Sequence, residues 1–221
     1  MGYQRLLLVE GRNDQYVLRG LLRKHHISCF IPDRDPPNAN AIAIDQADGI
    51  KRLLERLEVI LDDGNLTHLG IVVDADEDVA ARWDALRGIF SRFGGGDLPK
   101  SPASTGTLIT LQQPYRLLQV GVWIMPDNQV PGILENFVSF LIPHEKRPLW
   151  EKAQACVNTI PPEHRLFPEV KVPKAQIHTW LAWQKEPGQP LGNAITARYL
   201  DVDAPHAVML IDWVKRVFTL P

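Results

Sequence analysis

The 221 residues carry 24 Lys and Arg against 26 Asp and Glu, a formal net charge of −2 with a pI near 6.4, so any nucleic-acid surface is a local patch rather than a global basic field. Hydrophobic residues make up 45% and charged residues 23%, a globular composition with enough chain for one main core and an appendage. Only Cys29 and Cys156 occur, far apart and outside any C-x-x-C spacing, which argues against a zinc ribbon or disulfide framework and fits a reducing compartment.

The apolar run after Met1 is short and ends at Glu10, unlike a signal peptide, and no stretch approaches a membrane span; the expected compartment is the cytoplasm. Leu6 to Val9 read as a strand buried on both faces, broken by Gly11. From Asn13, a candidate N-cap, Val17, Leu18, Leu21 and Leu22 recur at helical spacing up to the basic RKHH at 23–26. A second strand comes from ISCFI (27–31) or AIAI (41–44), on either side of a Pro- and Asp-rich turn segment. Ile50, Leu53, Leu54, Leu57, Ile60 and Leu61 mark an amphipathic helix ended by DDGN.

LGIVV (69–73) is a further buried strand and runs straight into DADED, four acids in five residues. A helix follows from Val79 to Phe93, stopped by the glycines at 94–96. Strands alternating with helices imply a parallel sheet covered on both faces, an α/β Rossmann-like architecture. In such sheets ligand chemistry gathers beyond the carboxyl ends of the strands, where Glu10, Asp74 and Asp76 fall. After a loop over 94–107, LITL and VGVWIM read as strands, the second ending near Asp127, and Ile133 to Leu141 form a helix with Glu135 in its first turn. The proline-rich stretch 142–173 reads as a connector, and 174–185, 193–200 and 204–219 as helices of a C-terminal extension packed on the main domain.

A carboxylate closing a buried strand is fixed at a half-exposed rim, where several together raise one another's pKa unless something positive lies between them. Hard oxygen ligands of this kind suit Mg²⁺ or Mn²⁺. In Asp74-Ala75-Asp76, strand alternation sends both carboxylates the same way. Each acid also has a plain alternative: Asp76 or Asp78 as a helix cap, Asp14 as a first-turn acid, Asp127 as part of a PDN turn. Glu10 resists that treatment, because Glu suits neither an N-cap nor a tight turn. An ordered salt bridge from these acids to Lys or Arg would count against a metal site.

VEGRND (9–14) and IVVDADED (71–78) together resemble the Toprim domain shared by topoisomerases, bacterial primases and several nucleases, over roughly residues 4–140. GVWIMPDNQVPGILENF and KVPKAQIHTWLAWQKEPGQPLG resemble a family of small bacterial stand-alone Toprim proteins, similar to nucleases of the overcoming-lysogenization-defect type. The resemblance implies a Toprim-like metal-binding domain over 1–141, followed by the connector and the extension. It implies a Mg²⁺ site from Glu10, Asp74 and Asp76 and phosphodiester cleavage of DNA or RNA, in genome maintenance or phage defence. For a second ion, the acids at hand are Asp14, Asp78, Asp127 and Glu135, and Lys174 is the candidate cation for the transition state. Topoisomerases and primases have a glycine soon after Asp-x-Asp, whereas Asp78-Val79-Ala80-Ala81 stands here, which favours the nuclease branch. The alternative is a non-catalytic metal- and phosphate-binding module or a subunit of a partner ATPase; a second copy of the chain is a further partner to consider.

Other signals are weaker. GGGDLPKS (94–101) nearly matches a Walker A loop, but Pro99 stands where the second glycine belongs, and the segment follows a helix rather than a strand. His25, His26 and His178 lack metal spacing. Trp180, Trp183 and Trp213 at helical spacing point to packing more than to base stacking.

Overall fold

The computed structural model describes residues 3–114 and 116–221; Met1, Gly2 and Tyr115 lie outside the described residues. Six strands, β1 (Arg5–Val9), β2 (Cys29–Phe30), β3 (Ile42–Gln46), β4 (His68–Asp74), β5 (Thr107–Gln113) and β6 (Arg116–Met125), form one sheet in the order β2-β3-β1-β4-β6-β5. Both candidate second strands are used: β3 pairs in parallel with β1, and β2 is a two-residue edge beyond it. All neighbours are parallel except β5 and β6. Gln113 pairs with Arg116, so two residues join these strands, far too few for a crossover, and the pair is antiparallel.

The unbroken apolar runs are explained by layers on both faces. Leu6 and Leu8 join Ile71, Val73 and Ile124 in one core, with α2 (Ile50–Leu61) and α3 (Val79–Arg92) contributing Leu53, Leu57, Trp83, Leu86 and Phe90. Leu7 and Val9 face the other way, with Ile44, Val72, Trp123 and Met125, into a second core that takes in α1 (Arg12–Lys24), α4 (Leu134–Phe140) and the helices that follow. Alternate residues of one strand therefore bury against different helices. The GGGDLPKS loop is tied to α3, where Trp83 Nε1 donates to the Pro99 carbonyl at 3.0 Å.

The stretch expected to be a connector contains a twelve-residue helix, α5 (Arg147–Asn158), that buries Trp150, Ala153 and Val157. Pro148, one of the prolines of that stretch, sits in the first turn of this helix, where its missing N–H costs nothing. Beyond it come α6 (Val172–Ala182), the short α7 (Asn193–Thr196) and α8 (Pro205–Phe218). Trp180 and Trp213 are fully buried among these helices, while Trp183 is 39% exposed.

The α8 helix lies on the sheet where glycines replace side chains. Gly70 of β4 and Gly121 of β6 are paired in register. A Cβ at Gly121 would sit 2.1 Å from Val217 Cγ2, and one at Gly70 would sit 3.2 Å from Phe218 Cζ. Overpacking of this kind costs about 1–3 kcal/mol. Gly121→Ala is therefore expected to lower Tm by about 2–10 °C in a thermal melt followed by tryptophan fluorescence; an unchanged Tm would show that α8 is not seated against β6.

Candidate metal centre

The connections from β1 and β4 leave in opposite directions, β1 into α1 on one face and β4 into α3 on the other. Their adjacent carboxyl ends thus form the switch-point crevice where α/β sheets bind ligands. Glu10 follows β1, and its Oε2 accepts a 3.2 Å hydrogen bond from the backbone N–H of Asp74, the last residue of β4. Residues 10 and 74 are therefore in contact across the crevice.

Gly11 next turns the chain into α1, and Asp14 in the first turn reaches back, its Oδ2 accepting from the Gly11 N–H at 3.1 Å. The capping role is real, but it occupies one oxygen only. Asp14 is 6% exposed, and its Oδ1 is buried with no hydrogen-bond partner. Asp74 Oδ1 accepts from the Leu134 N–H at 2.8 Å, which brings the start of α4 to the rim. One residue further on, Glu135 is 2% exposed, and Lys174 Nζ of α6 lies 3.1 Å from its Oε1, close enough for an ion pair but misaligned for a hydrogen bond.

Glu10, Asp14, Asp74 and Glu135 thus converge from four segments of chain, and their charges act on one another. Burial, then the charges of Asp14, Glu10 and Glu135, push the Asp74 carboxyl up to about 9. Burial first, then Glu10 and Glu135, push Asp14 up to about 7. Glu10 is also raised, chiefly by burial, against the lowering effects of the Asp74 N–H and the Arg82 guanidinium.

The other acids are arranged differently. Asp76 adopts φ +54° and its N–H donates to the Gly132 carbonyl at 2.9 Å, so the strand alternation expected to align it with Asp74 does not extend to it. Its Oδ2 is ion-paired at 2.6 Å with Arg82 Nη2, and Arg82 Nε donates to the Asp74 carbonyl at 2.7 Å. This is a salt bridge of the kind that counts against Asp76 as a ligand for as long as Arg82 holds it. Asp78 caps α3, its Oδ1 accepting from Ala80 N and Ala81 N. Asp127 closes its own turn by accepting from Gln129 N and Val130 N. Neither is among the main groups acting on Glu10, Asp14 or Asp74.

Among the described residues, no three of His, Cys, Asp and Glu already stand in a metal-ligating arrangement. The donor chemistry nevertheless fits a hard divalent cation: all the acids offer oxygen, and Asp14 Oδ1 is a buried acceptor without a partner. Arg82 escaped the sequence reading because Arg on a helix ordinarily faces solvent; the acids of DADED, four to eight residues before it, were the signal that a counter-ion was needed.

Residues 4–219 match a family model described as "Protein of unknown function (DUF3226)". No curated protein matches the chain. The chain is similar in structure to a hypothetical protein from Pyrococcus horikoshii OT3, with a TM-score of 0.57 and 15% sequence identity over 96% of this chain and 94% of that one. At that identity the likeness shows the fold, a mainly parallel α/β sheet flanked by helices, and no more.

Raised carboxyl pKa values have a definite consequence for stability. The folded chain holds protons on Asp14 and Asp74 that the unfolded chain has released above about pH 4. Their contribution is fully present below the unfolded value and is lost as pH rises through about 7 for Asp14 and about 9 for Asp74. With EDTA present, Tm is expected to fall by roughly 5 °C or more from pH 5 to pH 9. Asp14→Asn, which keeps an acceptor for Gly11, is expected to flatten that slope and raise Tm at pH 8. A Tm that climbs over the same range in the wild type would contradict the arrangement.

Proposed function

We propose that this chain, which belongs to the DUF3226 family, is a divalent-metal-dependent phosphodiesterase of Toprim type acting on DNA or RNA. The observation that supports it is the convergence of Glu10, Asp14, Asp74 and Glu135 at a sheet switch point, with Asp14 Oδ1 buried and unpartnered. Like charges held in a low-dielectric rim by four separate segments destabilise the fold, and a cation relieves that cost. Glu10, Asp14, Asp74 and Glu135 are the residues that would hold Mg²⁺ or Mn²⁺, with Asp76 joining them if its ion pair with Arg82 opens. Bound there, such an ion would polarise a phosphoryl oxygen and lower the pKa of a water.

The protein's own groups set the rest. The Asp74–Leu134 and Glu10–Asp74 hydrogen bonds fix the carboxylates to the backbone and limit their reorganisation. Lys174 is anchored beside Glu135 yet its side chain is 45% exposed, so its ammonium can face both the acids and an approaching phosphate. Asp78 and Asp127 keep their cap and turn roles. A second reading, a phosphate-binding module without catalysis or a subunit serving a partner ATPase, is favoured by one observation: Arg82 and Lys174 already neutralise Asp76 and Glu135.

Two measurements separate the readings. Supercoiled plasmid and structured RNA incubated with Mg²⁺ or Mn²⁺ are expected to be cleaved by the wild type and left intact by Glu10→Ala; equal nicking by both would trace it to contamination, and binding without cutting would support the module. Because Asp14 and Asp74 carry protons that a cation must displace, Mn²⁺ affinity measured by calorimetry is expected to rise at least tenfold from pH 6 to pH 8, with protons released. Asp74→Asn is expected to weaken it by roughly ten- to a hundredfold. Affinity independent of pH and of Asp74 would place the ion elsewhere.

A further inference from the structure

Arg82 occupies a position that neither a capping role nor a solvated helix face explains. Its side chain is 14% exposed, and its guanidinium spans the Asp-x-Asp segment, with Nε on the Asp74 carbonyl and Nη2 on the Asp76 carboxylate. It also acts electrostatically on Glu10, so one cation serves two acids of the rim, Asp76 and Glu10. Among the described residues Nη1 makes no hydrogen bond, and Arg82 borders an open cleft of about 450 Å³ that Asp76, Asp78, Ala81 and Val170 also line. The start of α3 that carries it is fixed by the Asp78 cap.

The two partners differ in how firmly they are held. The Nε bond is to a backbone carbonyl at the end of a buried strand. The Nη2 bond is to a carboxylate that is 43% exposed, and ion pairs with an exposed member contribute little to stability. We propose that Arg82 is an exchangeable counter-ion: it holds Asp76 while no cation is bound and offers its guanidinium to a substrate phosphate once a divalent cation takes Asp76. The inference rests on the metal reading above and deepens it. Arg82 offsets the negative charge gathered at the rim, and its planar fork, still anchored through Nε, matches phosphate oxygens in a way that Lys cannot. Arg82 is thus a positioning residue for the phosphate and a competitor of the cation for Asp76. No covalent step is involved; one ion pair is replaced by two.

The exchange makes predictions of opposite sign, which a plain structural tie between α3 and the Asp76 turn does not. In Arg82→Gln, Mn²⁺ binding measured by calorimetry is expected to tighten several-fold, while binding of a mixed-sequence DNA or RNA oligonucleotide in Ca²⁺ weakens about tenfold. In Asp76→Asn, Mn²⁺ binding is expected to weaken. In the wild type, which needs no variant to fold, the Arg82 Nε–Hε NMR signal, assigned with Arg82→Lys, is expected to shift with added Mg²⁺ and saturate with it. If wild type binds Mn²⁺ while Arg82→Gln binds it no tighter, or the Arg82 signal ignores Mg²⁺, the exchange is wrong and the metal reading stands. If wild type binds no Mn²⁺, both fall together.

Discussion

Like charges buried close together are the constraint around which this structure is arranged. Glu10, Asp14, Asp74 and Glu135 come from the ends of β1 and β4 and the starts of α1 and α4, and water is largely kept from Asp14 and Glu135. In a medium that screens poorly, such carboxylates either take up protons or recruit cations. The chain does both. Asp14 and Asp74 are pushed toward the protonated form, while Arg82 and Lys174 are supplied to Asp76 and Glu135 from α3 and α6. Conformational stability is spent on holding this rim, a pattern found where a site is organised for a ligand.

The sheet makes the arrangement possible. β1 and β4 are buried on both faces, so their ends cannot move independently of two helical layers, and Glu10 locks one end to the other through the Asp74 N–H. The C-terminal helices complete the site as well as the core. α8 closes on β4 and β6 over paired glycines, and α6 brings Lys174 to Glu135. A residue 39 positions beyond Glu135 thereby takes part in the electrostatics of an acid next to the end of β4.

Much of this was legible in residue patterns because periodicity reports burial directly. The runs Leu6–Val9 and LGIVV lack alternation because both of their faces are covered, and the stripes of α2 and α3 show one apolar face. Glu10 stood out because a Glu has no local use between a strand and a turn glycine, and the structure shows its contact to be with β4, 64 residues away. Asp14, Asp76, Asp78 and Asp127 were ambiguous for a physical reason: a short acid near a helix start or turn finds backbone N–H groups whatever else it does. Asp78 and Asp127 do only that among the contacts seen, whereas Asp14 has an oxygen left over.

The sequence by itself determined the strand and helix alternation, the covered sheet and the placing of acids at strand ends, since these follow from local spacing and chain connectivity. Only the tertiary structure decided which acids meet, that Asp76 turns away to Arg82, that Glu135 turns inward, and that Pro148 starts a helix in the supposed connector. Those outcomes depend on backbone dihedrals at single residues and on contacts between segments far apart in the chain. A one-dimensional pattern constrains such quantities only weakly, because Coulomb interactions act through distances that folding alone sets.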